Sequence, residues 1–122
     1  MDKKSFGQTF CSEYYGAMMK EKSQRGAMVN FYGQDSQMNY NGEECNGIQQ
    51  ISRKIESLGY EKIIYKIDDL DIIERPGQYV MLIFGALQMD NSDEFRFTQT
   101  FNVVQNQNGG YYIQTDILRL LI

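Results

Sequence analysis

The segment FRFTQTFNVV, residues 95–104, alternates between two kinds of side chain and decides how the rest of the chain is interpreted. Phe97 and Phe101 fall on one face of this segment, whereas Thr98 and Thr100 fall on the other. A period of two is typical of a β-strand, because successive side chains point to opposite faces of a sheet. The segment is therefore predicted to be a strand whose two faces meet different surroundings, with Phe97 and Phe101 on the face that belongs to the core.

Further strands are predicted on both sides of this segment. From residue 60 onward the pattern is that of extended chain, with breaks at Pro76-Gly77, at DNSD and at NQNGG. Four consecutive strands joined by short turns predict an antiparallel meander. The predicted strands cover residues 61–73, 78–89, 94–105 and 111–120.

The first part of the chain has helical periodicity instead. Apolar side chains recur every four residues from Phe6 to Met18, which predicts a first helix that ends near residue 21. Ser5 followed three residues later by Gln8 is the pattern of a capping box, so Ser5 is predicted to start this helix.

Two more helices and a hairpin are predicted before residue 60. Residues 23–32 favour a second, weaker helix, because Gly26 costs about 1 kcal/mol relative to Ala. The dipeptide Asn41-Gly42 suits a type I′ turn, which predicts a small hairpin. A stripe of apolar residues over 48–58 predicts a third helix. Helices followed by strands predict an α+β fold, with the three helices packed on the concave face of a strongly bent antiparallel sheet.

The strand predicted over residues 78–89 is apolar on both faces. Met81 and Ile83 fall on one side, and Val80 and Leu82 fall on the other. Three short helices can cover only one face of the sheet, so something else must cover the second. We expect a second copy of the chain to do so, in a two-fold dimer packed sheet against sheet.

The face predicted to form the dimer also includes side chains of the neighbouring strands. The alternation of side chains along the last strand places Ile113 and Ile117 on this face. The residues predicted to lie at the interface are Leu82, Thr100 and Ile117. The alternative is a monomer with a partly exposed apolar sheet, although large exposed apolar patches usually mark an interface.

The composition restricts the kinds of partner and compartment. The 122 residues carry a net charge of -4, which disfavours nucleic acid as a ligand. No apolar run of about eighteen residues occurs, so we expect a single, unexported domain over residues 1–122 with no membrane association. Cys11 and Cys45 are widely spaced and are expected to be free thiols of a reducing compartment.

The chain lacks the residues on which many enzymes depend. It contains no His, the commonest general base and metal ligand, and none of the common nucleotide or hydrolase motifs. We therefore predict no catalytic residue, no metal site and no cofactor. Carboxylate chemistry stays open as an alternative if an acidic side chain is buried beside Tyr14 or Tyr15. The candidates are Asp90, Asp93, Asp116 and Glu44.

Six motifs together resemble one known family across essentially the whole chain. In order, they are FCSEYYGAMM, MNYNGEECNGIQQISRKIESL, YEKIIYKIDDLD, MLIFGALQMD, FRFTQTF and YYIQTDILRL. The chain resembles the nuclear transport factor two family. That resemblance implies a cone-like α+β fold, a homodimer through the convex sheet and a non-enzymatic carrier without a cofactor. The carrier would take GDP-bound Ran from the cytoplasm into the nucleus and contact Phe-Gly repeats of nucleoporins at the pores of the nuclear envelope.

The resemblance also implies which residues bind each partner. In the family, Ran binds through an apolar cavity with an acidic rim. The implied cavity residues are Tyr40, Leu58, Ile63, Phe95 and Leu118. The implied rim residues are Asp90, with Asn41 and Ser92 at positions where acidic residues are expected, and Asp93 one step along. Phe6 is the nearest replacement for the family's nucleoporin-binding aromatic residue.

Two other functions stay open at this point. The same cone fold carries small-molecule isomerases, dehydratases and ligand binders, and a fold alone does not determine function. The chain is alternatively a dimerisation module that binds another protein of the same fold. The sequence does not distinguish a homodimer from a heterodimer.

Overall fold

The computed structural model describes residues 2–121 and contains three helices and six strands within that range. The helical segments are α1 (Lys3–Met18), a 3-10 helix (Lys22–Phe31) and α2 (Ile48–Ser57). The strands are β1 (Tyr32–Tyr40), β2 (Glu43–Asn46), β3 (Ile63–Arg75), β4 (Gln78–Met89), β5 (Glu94–Gln105) and β6 (Tyr111–Leu121). This is the predicted α+β fold.

The six strands form one sheet in the order β2-β1-β6-β5-β4-β3. The last four strands are the predicted antiparallel meander. The expectation of a wholly antiparallel sheet is wrong, because β1 pairs with β6 in parallel. The polar sequence YGQDSQMNY of β1 gives only a weak strand pattern, whereas the hairpin to β2 forms as predicted, with positive φ at Asn41 and Gly42.

The start of α1 differs from the prediction. Asp2 is the N-cap, and its carboxylate accepts a hydrogen bond from the Ser5 backbone N–H at 2.8 Å. The predicted capping box of Ser5 and Gln8 is therefore wrong, because Ser5 already lies inside the first turn. The helix ends at Met18, three residues before the predicted end.

The inner, concave face of the sheet packs on the helices and forms the core. Phe97 and Phe101 are completely buried, and the ring centroid of Phe101 lies 4.9 Å from that of Tyr14 in α1. Met81 and Ile83 are buried on the same face. The face assignment made from the alternation in residues 95–104 is thus confirmed.

Register shifts in two of the antiparallel strand pairs bend the sheet. One lies at Asp68 in β3, opposite Gly85 in β4, where an added Cβ would come within 2.1 Å of the Lys66 carbonyl oxygen. The other makes Gln114 an extra residue in β6. An extra residue in a strand moves all side chains on one side of it to the opposite face of the sheet. Ile113 therefore points into the core, where it is fully buried. Its predicted place on the outer face is wrong.

Within residues 2–121, no helix has the length and apolar character needed to cross a membrane. In the same range, no three acidic or cysteine side chains are grouped so that they could hold a metal ion.

Candidate functional site

The outer, convex face of the sheet exposes a row of apolar side chains. Leu82 in β4 pairs with Thr100 in β5, and Thr100 pairs with Ile117 in β6, so the three residues predicted at the dimer interface lie side by side. Leu82 is 41% exposed and Ile117 is 46% exposed. Ile73 and Leu121 are also exposed on this face.

Polar groups border this apolar row. Asp71 pairs with Leu82 at the β3 edge, and Asn39 pairs with Ile117 at the β1 edge. Further along the same sheet, Arg96 pairs with Asp68 at 2.6 Å. An apolar centre with a charged and polar margin is the usual anatomy of a protein interface.

The inner face holds a buried polar network between the sheet and α1. Tyr32 donates to one oxygen of Asp116 at 2.7 Å, and Gln99 donates its amide N–H to the other at 2.8 Å. The Tyr32 hydroxyl donates its only hydrogen to Asp116. The Tyr14 hydroxyl oxygen lies 3.0 Å from that of Tyr32, so Tyr14 must be the donor in this second hydrogen bond. Tyr15 completes the network by donating to the Gln99 carbonyl oxygen at 2.7 Å.

The network has a chemical consequence for Asp116. Burial raises the pKa of this carboxyl group from its ordinary 3.8 to about 6, although the hydrogen bonds from Gln99 and Tyr32 oppose the rise. The side chain is 1% exposed, and both of its oxygens already accept hydrogen bonds. A substrate could therefore reach Asp116 only if Tyr32 or Gln99 moved.

A cavity of about 930 Å³ opens at the mouth of the cone, where α1, the 3-10 helix, α2 and the start of β3 meet. Its apolar walls include Met19 and Ile55. Its edge includes Lys62, whose backbone N–H donates to the Asp90 carboxylate at 2.9 Å. We call this space the mouth cavity.

Four of the five residues implied to line a Ran-binding cavity lie on the inner face of the sheet, and the fifth, Leu58, directly follows α2. None of the five is among the residues that line the mouth cavity. Tyr40 pairs with Leu118 across the parallel β1–β6 ladder, and Phe95 lies beside Leu87 in β4. Leu58, Ile63 and Leu118 are buried, whereas Tyr40 and Phe95 are half-buried. The ammonium group of Lys54 lies 5.0 Å from the ring centroid of Tyr40.

The implied rim residues are placed in turns. Asn41 accepts a hydrogen bond from the Leu120 backbone N–H at 3.1 Å, and Asp90 accepts the one from Lys62. Both residues have φ near 50°, a conformation that Asn and Asp tolerate better than most residues. Ser92 accepts from the Met89 backbone N–H and donates to the carbonyl oxygen of Asp93. Asp93 itself is exposed.

Phe6 lies at the other end of the cone in an aromatic cluster. Its ring stacks on Tyr79 with centroids 4.0 Å apart and meets the edge of Tyr111 at 5.1 Å. A groove of about 450 Å³ runs beside it, and Phe10 and Phe31 form part of its walls.

Sequence reasoning missed one residue of the mouth entirely. Arg25 is one of the residues around the mouth cavity, although it is only 2% exposed. The available signal was the spacing of Lys22, Arg25 and Met28, since residues three apart share a face of a 3-10 helix.

The bent sheet, the helices on its concave face and the exposed apolar convex face define a cone-shaped α+β protein of a class that contains both binding proteins and enzymes. The family model for the nuclear transport factor 2 domain matches residues 6–120. The chain therefore belongs to the nuclear transport factor 2 domain family, which confirms the resemblance stated from the sequence motifs.

Individual relatives agree with this assignment. The chain is 30% identical over 114 residues to nuclear transport factor 2 of Candida albicans, which covers 91% of this chain and 89% of the relative. It is similar to the structure of nuclear transport factor 2 from Cryptosporidium parvum, with a TM-score of 0.88 and 25% identity. The matched region covers 96% of this chain and 93% of the other chain. A candidate scytalone dehydratase from Novosphingobium aromaticivorans shares the fold alone, with a TM-score of 0.79 and 10% identity. The matched region covers 94% of this chain and 81% of the other chain.

Proposed function

We propose that this protein is a non-enzymatic nuclear import carrier that binds GDP-bound Ran and contacts Phe-Gly repeats of nucleoporins. The observation that supports it most is the family match over residues 6–120, together with relatives named nuclear transport factor 2. Residues 1–122 form one domain of this carrier, which moves between cytoplasm and nucleus through the pores of the nuclear envelope. Met1 and Ile122 lie outside the described residues.

The carrier is a homodimer through the convex face of the sheet. The aligned row of Leu82, Thr100 and Ile117 supports this part of the proposal, because two of its three side chains are large, apolar and exposed. A standard interface buries about 800 Å² on each partner, an area that the outer faces of four long strands can supply. A two-fold axis would place the same row against itself in both copies.

Ran binds at the mouth of the cone. Half-buried Tyr40 and Phe95 offer apolar surface there, with the buried side chains of Leu58, Ile63 and Leu118 behind them. Asp90 supplies negative charge at the edge, and exposed Asp93 adds to it. An apolar anchor provides most of the affinity at such sites, whereas rim charges mainly set orientation and the rate of encounter.

Asn41 and Ser92 stabilise the turns that form the rim and supply no negative charge to it. Asn41 holds the β1–β2 turn to β6, and Ser92 holds the turn between β4 and β5. Neither side chain carries charge, so Asp90 and Asp93 provide the acidic part of the rim on these turns.

Phe-Gly repeats bind at the aromatic cluster around Phe6. The groove of about 450 Å³ beside Phe6, Phe10 and Tyr111 has the apolar walls that a phenylalanine side chain requires. Aromatic rings gain additional free energy from stacked and edge-to-face contacts, which this cluster already uses internally.

The alternative is a small-molecule isomerase, dehydratase or ligand binder on the same fold. One observation favours it: Asp116 is a buried carboxyl group with a raised pKa, as a general base requires. Against it, Tyr32 and Gln99 occupy both carboxylate oxygens. We therefore assign Asp116 a structural role.

Substitutions at the mouth test the carrier proposal. Binding of Ran loaded with GDP is measured by titration calorimetry for the native chain, Phe95→Glu and Asp90→Asn, with Glu13→Gln as a matched control on the exposed side of α1. We expect Phe95→Glu to abolish binding, Asp90→Asn to weaken it about tenfold and Glu13→Gln to leave it unchanged. Undiminished binding by a folded Phe95→Glu variant would contradict the proposed site.

A further inference from the structure

The strand β3 is the last strand of the sheet and has one open edge. In the described part of the chain, β3 pairs only with β4, so its other edge has no strand beside it. The backbone N–H of Leu70 donates to the carboxylate of Asp69 at 2.8 Å, so Leu70 directs its backbone groups to this open edge. Alternate residues of an antiparallel strand direct their backbone groups to the same side, which places those of Ile72 and Glu74 on the open edge too. We call residues 69–74 the edge segment.

An open edge of this kind is a template for a further strand. Its row of N–H and C=O groups can form main-chain hydrogen bonds with an extended peptide, which then lies in the plane of the sheet. On the other side of the register shift at Asp68, the backbone N–H of Tyr65 donates to the sulfur of Met19 at 3.4 Å. A thioether sulfur is a weak acceptor, so a peptide carbonyl oxygen would be a better partner at this edge.

A groove between α1 and β3 lies beside the open edge. Its volume is about 560 Å³, and its walls include apolar surface of Met19, Tyr65, Ile67 and Leu70. Met19 is 40% exposed, and the surface of α1 is open at Gly16, where an added Cβ would meet nothing within 4 Å. Successive side chains of a strand point to opposite faces, so a strand added beside Leu70 would direct every second side chain to the side of the groove.

The outer side of the edge segment is acidic. Asp69 and Asp71 lie on the outer face, because they alternate with Leu70, whose side chain packs on the inner face against α1. Both are exposed, and neither forms a salt bridge with any residue that the structure describes. Asp68, by contrast, is already paired with Arg96 at 2.6 Å. The two uncompensated carboxylates favour a partner that presents basic side chains on this face.

We propose that the edge segment binds an extended peptide segment of another protein, in which basic and apolar residues alternate, as a further strand of the sheet. The peptide runs antiparallel to β3, which is the slightly more stable arrangement. Its apolar side chains cover Leu70 and Ile72 and enter the groove, whereas its basic side chains pair with Asp69 and Asp71. This inference does not rest on the proposed carrier function. A dimer packed outer face on outer face leaves the edge open, because the backbone groups of an edge strand point along the sheet.

The probe is the peptide acetyl-KLKVKLK-amide, and amide hydrogen exchange followed by nuclear magnetic resonance locates it. At saturation we expect the amide hydrogens of Ile72 and Glu74 to exchange at least about tenfold more slowly, and that of Ile73, which faces β4, to be unchanged. Two control peptides should bind at least about tenfold more weakly: acetyl-ELEVELE-amide, which reverses the charge, and the probe N-methylated at its three apolar residues, which lacks the N–H groups that face β3. Binding of the probe without protection of Ile72 and Glu74 would overturn the inference.

Variants of the protein test the charges and the backbone separately. The double variant Asp69→Asn with Asp71→Asn keeps an acceptor for the Leu70 N–H but removes both charges, and should bind the probe at least about fivefold more weakly. Glu44→Gln, at an exposed position of β2 on the opposite edge of the sheet, should bind as the native chain does. Glu74→Pro removes one edge N–H at a position where a strand tolerates proline, and should bind more weakly than Glu74→Gln, which loses only the charge.

Undiminished binding by the double Asn variant, or equal binding by the Pro and Gln variants at position 74, would overturn the inference. If the Pro variant does not fold, the exchange measurement on the native chain still decides it.

Discussion

The Tyr32 hydroxyl donates to the Asp116 carboxylate across 2.7 Å and thereby joins the first strand of the sheet to the last. The pair lies at the parallel β1–β6 junction, which the sequence pattern did not reveal. Because Asp116 is buried, this junction carries an ionisable group whose protonation is linked to folding.

The first prediction concerns that linkage. Burial raises the pKa of folded Asp116 to about 6 from an ordinary 3.8, so between these values the folded state holds a proton that the unfolded state has lost. The contribution of Asp116 to the free energy of unfolding is therefore fully present below pH 3.8 and is lost as the pH rises through about 6. Within that window it changes by at most about 1.4 kcal/mol per pH unit.

Urea unfolding of the native chain and Asp116→Asn across this pH window measures the effect. The difference in unfolding free energy between the two proteins should vary with pH through the window and be constant above it. A difference that is constant throughout would mean that Asp116 keeps its ordinary pKa in the folded protein.

The second prediction concerns the bend of the sheet. An added Cβ at Gly85 would lie 2.1 Å from the Lys66 carbonyl oxygen, so Gly85→Ala forces β3 and β4 apart. We expect a loss of about 3 kcal/mol in unfolding free energy, comparable to severe overpacking of a core. Gly16→Ala is the matched control, because its Cβ meets nothing within 4 Å and it lies in α1. That variant should gain about 1 kcal/mol, and equal effects of both substitutions would contradict the proposed role of Gly85.

The third prediction concerns the outer face. Ile117→Glu places a charge in the centre of the exposed apolar row and should convert the dimer to a monomer, because an unpaired charge cannot be buried at an interface without a large penalty. Light scattering should give twice the chain mass for the native protein and the chain mass for the variant. Ala27→Glu adds the same charge at an exposed position of the 3-10 helix and should leave the dimer intact. A native protein of single-chain mass, or an unaffected variant, would show that this face is not the interface.

The fourth prediction concerns the aromatic cluster. Phe6→Ala removes the ring that stacks on Tyr79, so it should weaken binding of a Phe-Gly repeat peptide about tenfold. Fluorescence anisotropy of a labelled repeat peptide measures this change. Leu70→Ala, in β3 where the side chain packs against Gly7 of α1, serves as the control for a general loss of apolar surface. Equal loss in both variants would place the repeat elsewhere.

The sequence predicts the meander well because local alternation determines it. The predicted bounds of β4 and β5 coincide with those observed, and the face occupied by Phe97 and Phe101 is correct. Both strands are long and strongly patterned. Once one face of such a strand is buried, it can pair with its neighbours in few registers.

Features that depend on distant parts of the chain were not predictable in the same way. The face of the sheet on which Ile113 lies depends on the extra residue Gln114. A register shift of this kind has no local signal in the sequence. The strand β1 is polar and is stabilised by its parallel partner β6, not by its own pattern. Arg25 would be expected at the surface by residue type, yet it shares the buried face of the 3-10 helix with Met28.

The most direct measurement of the proposed function is a comparison of Ran in its two nucleotide states. Native protein is titrated with Ran loaded with GDP and, separately, with Ran loaded with a non-hydrolysable GTP analogue. We predict binding of the GDP form at least about 100-fold tighter than that of the GTP form, a difference of about 2.7 kcal/mol. Equal affinity for both forms, or binding of neither, would contradict the assignment of this chain as a Ran carrier.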